Sequence, residues 1–62
     1  MQMKIKAAEL QIDDCILWKS GNAAKVIFVE IQVDCVYVVC GGSFHTYDRK
    51  LNKNKVITIE RN

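Results

Sequence analysis

The chain has 62 residues, half of them hydrophobic and 26% charged, with nine Lys and Arg against seven Asp and Glu for a net charge of +2. A chain of this length folds to a surface of roughly 4,100 Å² around one small core, which excludes a second domain, a deep active site and a large cofactor cavity. The apolar share excludes a disordered chain, and the net charge is far below that of a typical nucleic-acid module.

The apolar set is β-branched. Val and Ile supply fourteen residues, Leu only Leu10, Leu17 and Leu51, and Pro is absent. Side chains of this shape are stiff and fit a pleated sheet better than a helix. The opening Met1-Gln2-Met3-Lys4-Ile5-Lys6 has no apolar core of the signal-peptide kind, and no apolar stretch reaches membrane-spanning length. Three Cys without framework spacing argue against an oxidised secreted scaffold. The expectation is one soluble domain over 1–62, cytoplasmic and without membrane contact.

In chain order, Lys4-Ile5-Lys6-Ala7 predicts a short strand and Ala7-Ala8-Glu9-Leu10 one helical turn. Asp13-Asp14 reads as a turn, Cys15–Lys19 as a strand, and Ser20-Gly21-Asn22 as a second turn. Strands over Val26–Val33 and Cys35–Cys40 flank Asp34, and Gly41-Gly42 marks a two-residue hairpin turn. Ser43–Asp48 is the next strand, Arg49–Asn54 a polar loop, and Lys55–Arg61 the last strand. Short strands joined by tight turns predict an all-β, small five-stranded antiparallel barrel with one short helical turn near the N-terminus.

Registers follow from the turns. With Val33-Asp34 at the first turn, Ile31 faces Val36, Val29 faces Val38 and Ile27 faces Cys40, an all-apolar face that must be core. With Gly41-Gly42 at the second, Phe44 faces Val39 and Thr46 faces Tyr37, while His45 and Tyr47 fall on the core side. The outer face then gathers Val26, Phe28, Tyr37, Val39 and Phe44. That patch has two readings: self-association or a partner protein, or cover by another part of the same chain.

The stretch Ala7-Ala8-Glu9-Leu10-Gln11-Ile12-Asp13-Asp14-Cys15-Ile16 resembles the "A-x-x-L-x-x-G-D-x-I" opening of many small prokaryotic and phage β-barrels of the SH3-like class. The closing Val56-Ile57-Thr58-Ile59-Glu60-Arg61 resembles their final "V-x-V/I-x-R" strand. The resemblance spans nearly the whole chain and implies a fold rather than an activity, because the class hosts nucleic-acid binders, peptide binders and oligomeric rings. Asp13 stands where the pattern has Gly; Asp tolerates a left-handed backbone better than most residues. The resemblance also fits tiny oligomeric phage proteins that block host defences, some by sequestering a nucleotide signal between subunits.

No catalytic set emerges. His45 is the one histidine, and its neighbour Cys40 reads as a small core hydrophobe. Cys35-x4-Cys40-x4-His45 has metal-ligand types but not metal-ligand spacing, and Cys35 and Cys40 point to opposite faces of a strand. No cofactor is expected. The basic segment is the stronger feature: Arg49, Lys50, Lys53 and Lys55 follow Phe44, His45 and Tyr47. Residues 41–62 carry five basic residues and two acids, net +3, against −1 for residues 1–40. Small barrels that hold single strands combine basic grooves with stacking aromatics; a solvated polar loop has the same composition. Gly41-Gly42-Ser43 offers backbone N–H groups to an anion or is simply a turn. Trp18 caps the core or stands at a surface pocket; both readings stay open.

The expectation is therefore a non-enzymatic, oligomeric binding module for a nucleotide or nucleic acid, with Phe44, His45, Tyr47, Arg49, Lys50 and Lys53 as ligand-binding residues. The alternative is a protein-interaction module or inhibitor, aimed at a host protein, that works through the apolar sheet face.

Overall fold

A computed structural model describes residues 1–42 and 45–61. Six strands form one antiparallel sheet: β1 (Gln2–Lys6), β2 (Cys15–Leu17), β3 (Ala23–Ile31), β4 (Val36–Gly41), β5 (Thr46–Leu51) and β6 (Val56–Glu60). A single 3₁₀ turn, Ala7–Glu9, follows β1. The strand order is β1-β6-β2-β3-β4-β5. The all-β class and the early helical turn are as the sequence predicts. The five-stranded closed barrel is not: there are six strands, and the ladder of the described residues stays open between β1 and β5. No helix of the described residues is long and apolar enough to cross a membrane.

The sheet wraps a core of Ile16, Val26, Val36, Val38, Cys40, Leu51, Ile57 and Ile59, closed at one end by Ala7 and Leu10. β4 shows the pattern most simply. Val36, Val38 and Cys40 are fully buried while Tyr37 and Val39 face outward, the period of two that a half-buried strand requires. The exposed surface is 4373 Å², slightly above the value expected for this length, as an open sheet would give.

Two registers depart from the sequence reading. Ile31↔Val36 and Val29↔Val38 pair as expected, but Cys40 faces Val26 and not Ile27, because β3 is bulged between Val26 and Phe28. A bulge adds one residue on one strand and reverses which alternate side chains face inward. Val26, expected on the outer face, is therefore fully buried, whereas Ile27 and Phe28 are 46% and 47% exposed. Backbone bonds from Asp13 N–H to Val26 O (2.8 Å) and from Val26 N–H to Asp14 O (2.8 Å) hold the inner side of the bulge.

The second hairpin is also longer than expected. Gly41 belongs to β4 and pairs with Thr46, so Cys40 faces Tyr47, Val39 faces Asp48 and Tyr37 faces Lys50. The Gly42 N–H donates to His45 O at 2.9 Å across the loop, and a Cβ on Gly42 would lie 3.3 Å from that same oxygen. The slip is even, so Tyr47 keeps the core side. Arg49, Lys50 and Leu51, expected in a loop, extend β5 because Leu51 is buried at its end.

Asp13 adopts φ +78°, the left-handed turn that the resemblance assigns to Gly. Its ion pair with Lys25, 3.3 Å, is exposed on both sides and contributes little. Asp13→Ala is expected to lower stability by about 1 kcal/mol, since a Cβ without a polar tip is penalised in this region, while Asp13→Gly should not. Urea unfolding of the two variants checks this; equal losses would contradict it.

Candidate functional site

A concavity of about 1010 Å³ opens where the β2–β3 turn meets the start of β5. Trp18 and the turn residues Ser20, Gly21 and Asn22 form one wall; Gly42, His45, Tyr47 and Arg49 form the other. The turn is tight. Trp18 N–H donates to Asn22 O at 2.9 Å and Gly21 N–H to Trp18 O at 3.0 Å, with Gly21 at φ +92°. This geometry fixes the root of the Trp18 side chain at the end of β2.

A side-chain bond joins the two walls. The Trp18 indole N–H donates to the Tyr47 hydroxyl at 2.8 Å. Both rings pack against the core and are half-buried. Trp18 thus does both things the sequence left open: it covers the core and lines a surface cleft. The Arg49 guanidinium lies 4.8 Å from the Tyr47 ring centroid, a cation–π arrangement. His45 sits beside the same ring at 6.1 Å, tilted by 52°. No acceptor among the described residues takes the Tyr47 hydroxyl proton, which leaves that group a donor toward the cleft.

The electrostatics are one-sided. The described lining contains no Asp or Glu. Among the described residues Arg49 has no ion-pair partner; one of its nitrogens donates to the Asp48 carbonyl at 3.1 Å. The Asp48 carboxylate is turned to the other face, where the Tyr37 hydroxyl donates to it at 3.1 Å.

Of the ligand-binding residues expected from sequence, the structure brings His45, Tyr47 and Arg49 together. Lys50 pairs with Tyr37 on the opposite face of β5, because successive side chains on a strand alternate. Lys53 lies in the β5–β6 turn, at the far end of β5, where its carbonyl accepts from Ala8 N–H at 3.3 Å. Phe44, and with it Ser43 of the Gly-Gly-Ser segment, lies outside the described residues. Trp18, Ser20 and Asn22 join the cleft from far along the chain; the turn signal was visible in sequence but not what it packs beside.

The cysteine and aromatic alternatives are also placed. Cys40 is fully buried, and burial pushes its thiol up, away from the thiolate a nucleophile needs. Cys35 stands at the β3–β4 turn and donates to Gln32 Oε1 at 3.2 Å. On the outer sheet face, Phe28 meets Tyr37 edge-on at 6.3 Å, with Val39 directly opposite Phe28 in register. Of the face expected for association, Phe28, Tyr37 and Val39 stand there, Val26 is in the core, and Ile27 takes a place the sequence reading did not give it.

Comparison with family models, with curated proteins and with solved structures finds no match.

Proposed function

We propose that the chain is a non-enzymatic binding module that holds a phosphate-bearing ligand, a nucleotide or nucleic acid, in the Trp18–Tyr47–Arg49 cleft. The observation that carries this reading is Arg49: a cation set on an aromatic ring, in a cleft with no described carboxylate to neutralise it. A guanidinium so placed is a strong donor to phosphate oxygens, and Trp18 and His45 offer flat faces to a base. Ser20 and Asn22, with their polar side chains, line the same space. The resemblance to small SH3-like prokaryotic and phage barrels, with six strands here instead of five, supports a sequestering role in which a nucleotide signal is bound and not turned over.

Trp18 is the one tryptophan and reports on the cleft directly. Titration with the four ribonucleoside 5′-monophosphates is expected to quench its fluorescence, with affinity falling between about 50 and 200 mM salt. Arg49→Glu should weaken binding by at least about tenfold, or 1.4 kcal/mol. Salt-insensitive binding, or an unaffected Arg49→Glu variant, would count against the proposal.

A second reading rests on the outer face. Ile27 and Phe28 are each nearly half exposed beside Tyr37 and Val39, a contiguous apolar patch of the kind that can seat a partner. In this reading the face joins a second copy of the chain, and Phe28→Asp should convert a dimer or larger species to monomer in light scattering. A wild-type monomer at micromolar concentration would remove it.

A further inference from the structure

Trp18 borders a second groove as well. This one, about 260 Å³, lies where β2 and β6 diverge beyond the Leu17↔Thr58 pair. Its walls are apolar, Leu17, Val56 and Ile57 with Trp18, and Lys19 and Lys55 flank it. Its lining holds no carboxylate, and neither lysine is ion-paired among the described residues. Val56 is 60% exposed there, apolar area that a bound base or sugar would cover.

Trp18 lines both grooves, and the two repeat one chemistry. Each has a flat or apolar wall, at least one unpaired cation, and no acid. The basic residues that could have extended the path along β5 do not: Lys50 is on the opposite sheet face and Lys53 is at the far turn. Lys19 and Lys55 are the cations whose groove shares Trp18 with the Arg49 cleft.

We infer that the Lys19–Lys55 groove is a second subsite, and that the ligand is a short nucleotide chain with at least two phosphates, straddling Trp18. This rests on the nucleotide reading of the Arg49 cleft and adds the ligand's length to it. One phosphate meets Arg49, the next meets Lys19 and Lys55, and a base or sugar covers Val56. The groove's volume, about 260 Å³, is filled by a single nucleotide unit, so chains beyond two or three nucleotides gain little from it; Lys4 and Lys6, opposite Thr58 and Val56 on β1, serve that same unit.

The test is a length series. Random-sequence pools of 5′-phosphorylated oligonucleotides of one, two, three and eight nucleotides are titrated against the full chain, with Trp18 fluorescence as readout. Affinity is expected to rise at least tenfold from one to three nucleotides and then to change less than about twofold to eight. The salt dependence should steepen from about one to two or three released counterions over the same range. Lys19→Ala/Lys55→Ala should flatten the rise, lowering affinity for the trinucleotide at least fivefold, while Lys50→Ala keeps the wild-type length dependence. Equal affinity for one and three nucleotides overturns the second subsite and leaves the Arg49 cleft standing. So does a rise that survives the double lysine change, or one that Lys50→Ala removes equally. Affinity still climbing steeply to eight nucleotides overturns the short-ligand claim in favour of a strand binder. No response at any length overturns the subsite and the nucleotide reading together.

Discussion

Arg61→Ala is expected to cost about 3–5 kcal/mol, a large share of the chain's stability. The reason is the partner it abandons. Asp14 is 2% exposed, and Arg61 holds it through two parallel bonds, Nε to Oδ1 at 2.8 Å and Nη2 to Oδ2 at 2.7 Å. The Gln11 N–H adds a third at 2.9 Å. Removing the guanidinium strands a buried carboxylate, which is the expensive way to break such a pair. A domain of this size has only about 3–9 kcal/mol in total. Asp14→Asn should cost less, because Arg61 is partly open to solvent and the amide can still accept from Gln11.

The pH dependence separates these cases. The Arg61 hydrogen bonds hold the Asp14 carboxyl below its ordinary value, against a smaller opposing effect of burial. A group lowered on folding contributes stability that is fully present above its unfolded pKa and is lost as pH falls through the folded one. Wild type should therefore lose stability on strong acidification. In Arg61→Ala, burial raises the Asp14 carboxyl against the Gln11 N–H bond alone, so the loss of stability on acidification should shrink or reverse. In Asp14→Asn this contribution is absent. Urea midpoints at neutral and acid pH for the three proteins read this out; parallel curves would contradict it.

The second large effect is expected at Ile16. It is fully buried at the centre of the shortest strand and faces Ala24 on one side and Ile59 on the other. Among the described residues, β2 is the only link in the ladder between the β1–β6 pair and β3–β5. Ile16→Ala should cost about 2–5 kcal/mol through lost burial and the cavity left behind. Ile16→Val, which removes one methyl, should cost about 0.5–1.5 kcal/mol and stay folded. If both changes cost the same small amount, Ile16 does not hold the two halves together.

What the sequence could and could not reveal follows from range. β4 was legible because its alternation is local: Val36, Val38 and Cys40 declare a buried face within six residues. The Asp13 turn was legible because one left-handed residue is a local demand. The Ile27 bulge was not, since nothing in the composition of β3 distinguishes a continuous strand from one with an extra residue, and that single residue moved Val26 from the outer face to the core. Leu51 likewise looked like an isolated apolar residue in a polar loop until the core it enters was in place. Asp14 and Arg61 were both visible as motif positions, 47 apart, but not as partners. The cleft was half legible. Tyr47 and Arg49 share a face because they are two apart on one strand, and that same alternation removes Lys50. Trp18 reaches Tyr47 across 29 positions of sequence, a contact that only the strand order creates.

The central claim, that the Trp18–Tyr47–Arg49 cleft is a nucleotide site, is tested most directly by mapping amide and indole NMR shifts during titration with nucleoside 5′-monophosphates. The largest changes are expected at the Trp18 indole N–H, at Gly21, Asn22 and Gly42, and at Arg49, with the Phe28, Tyr37 and Val39 face unmoved. Shifts confined to that outer face, or none at all at saturating ligand, would contradict the account.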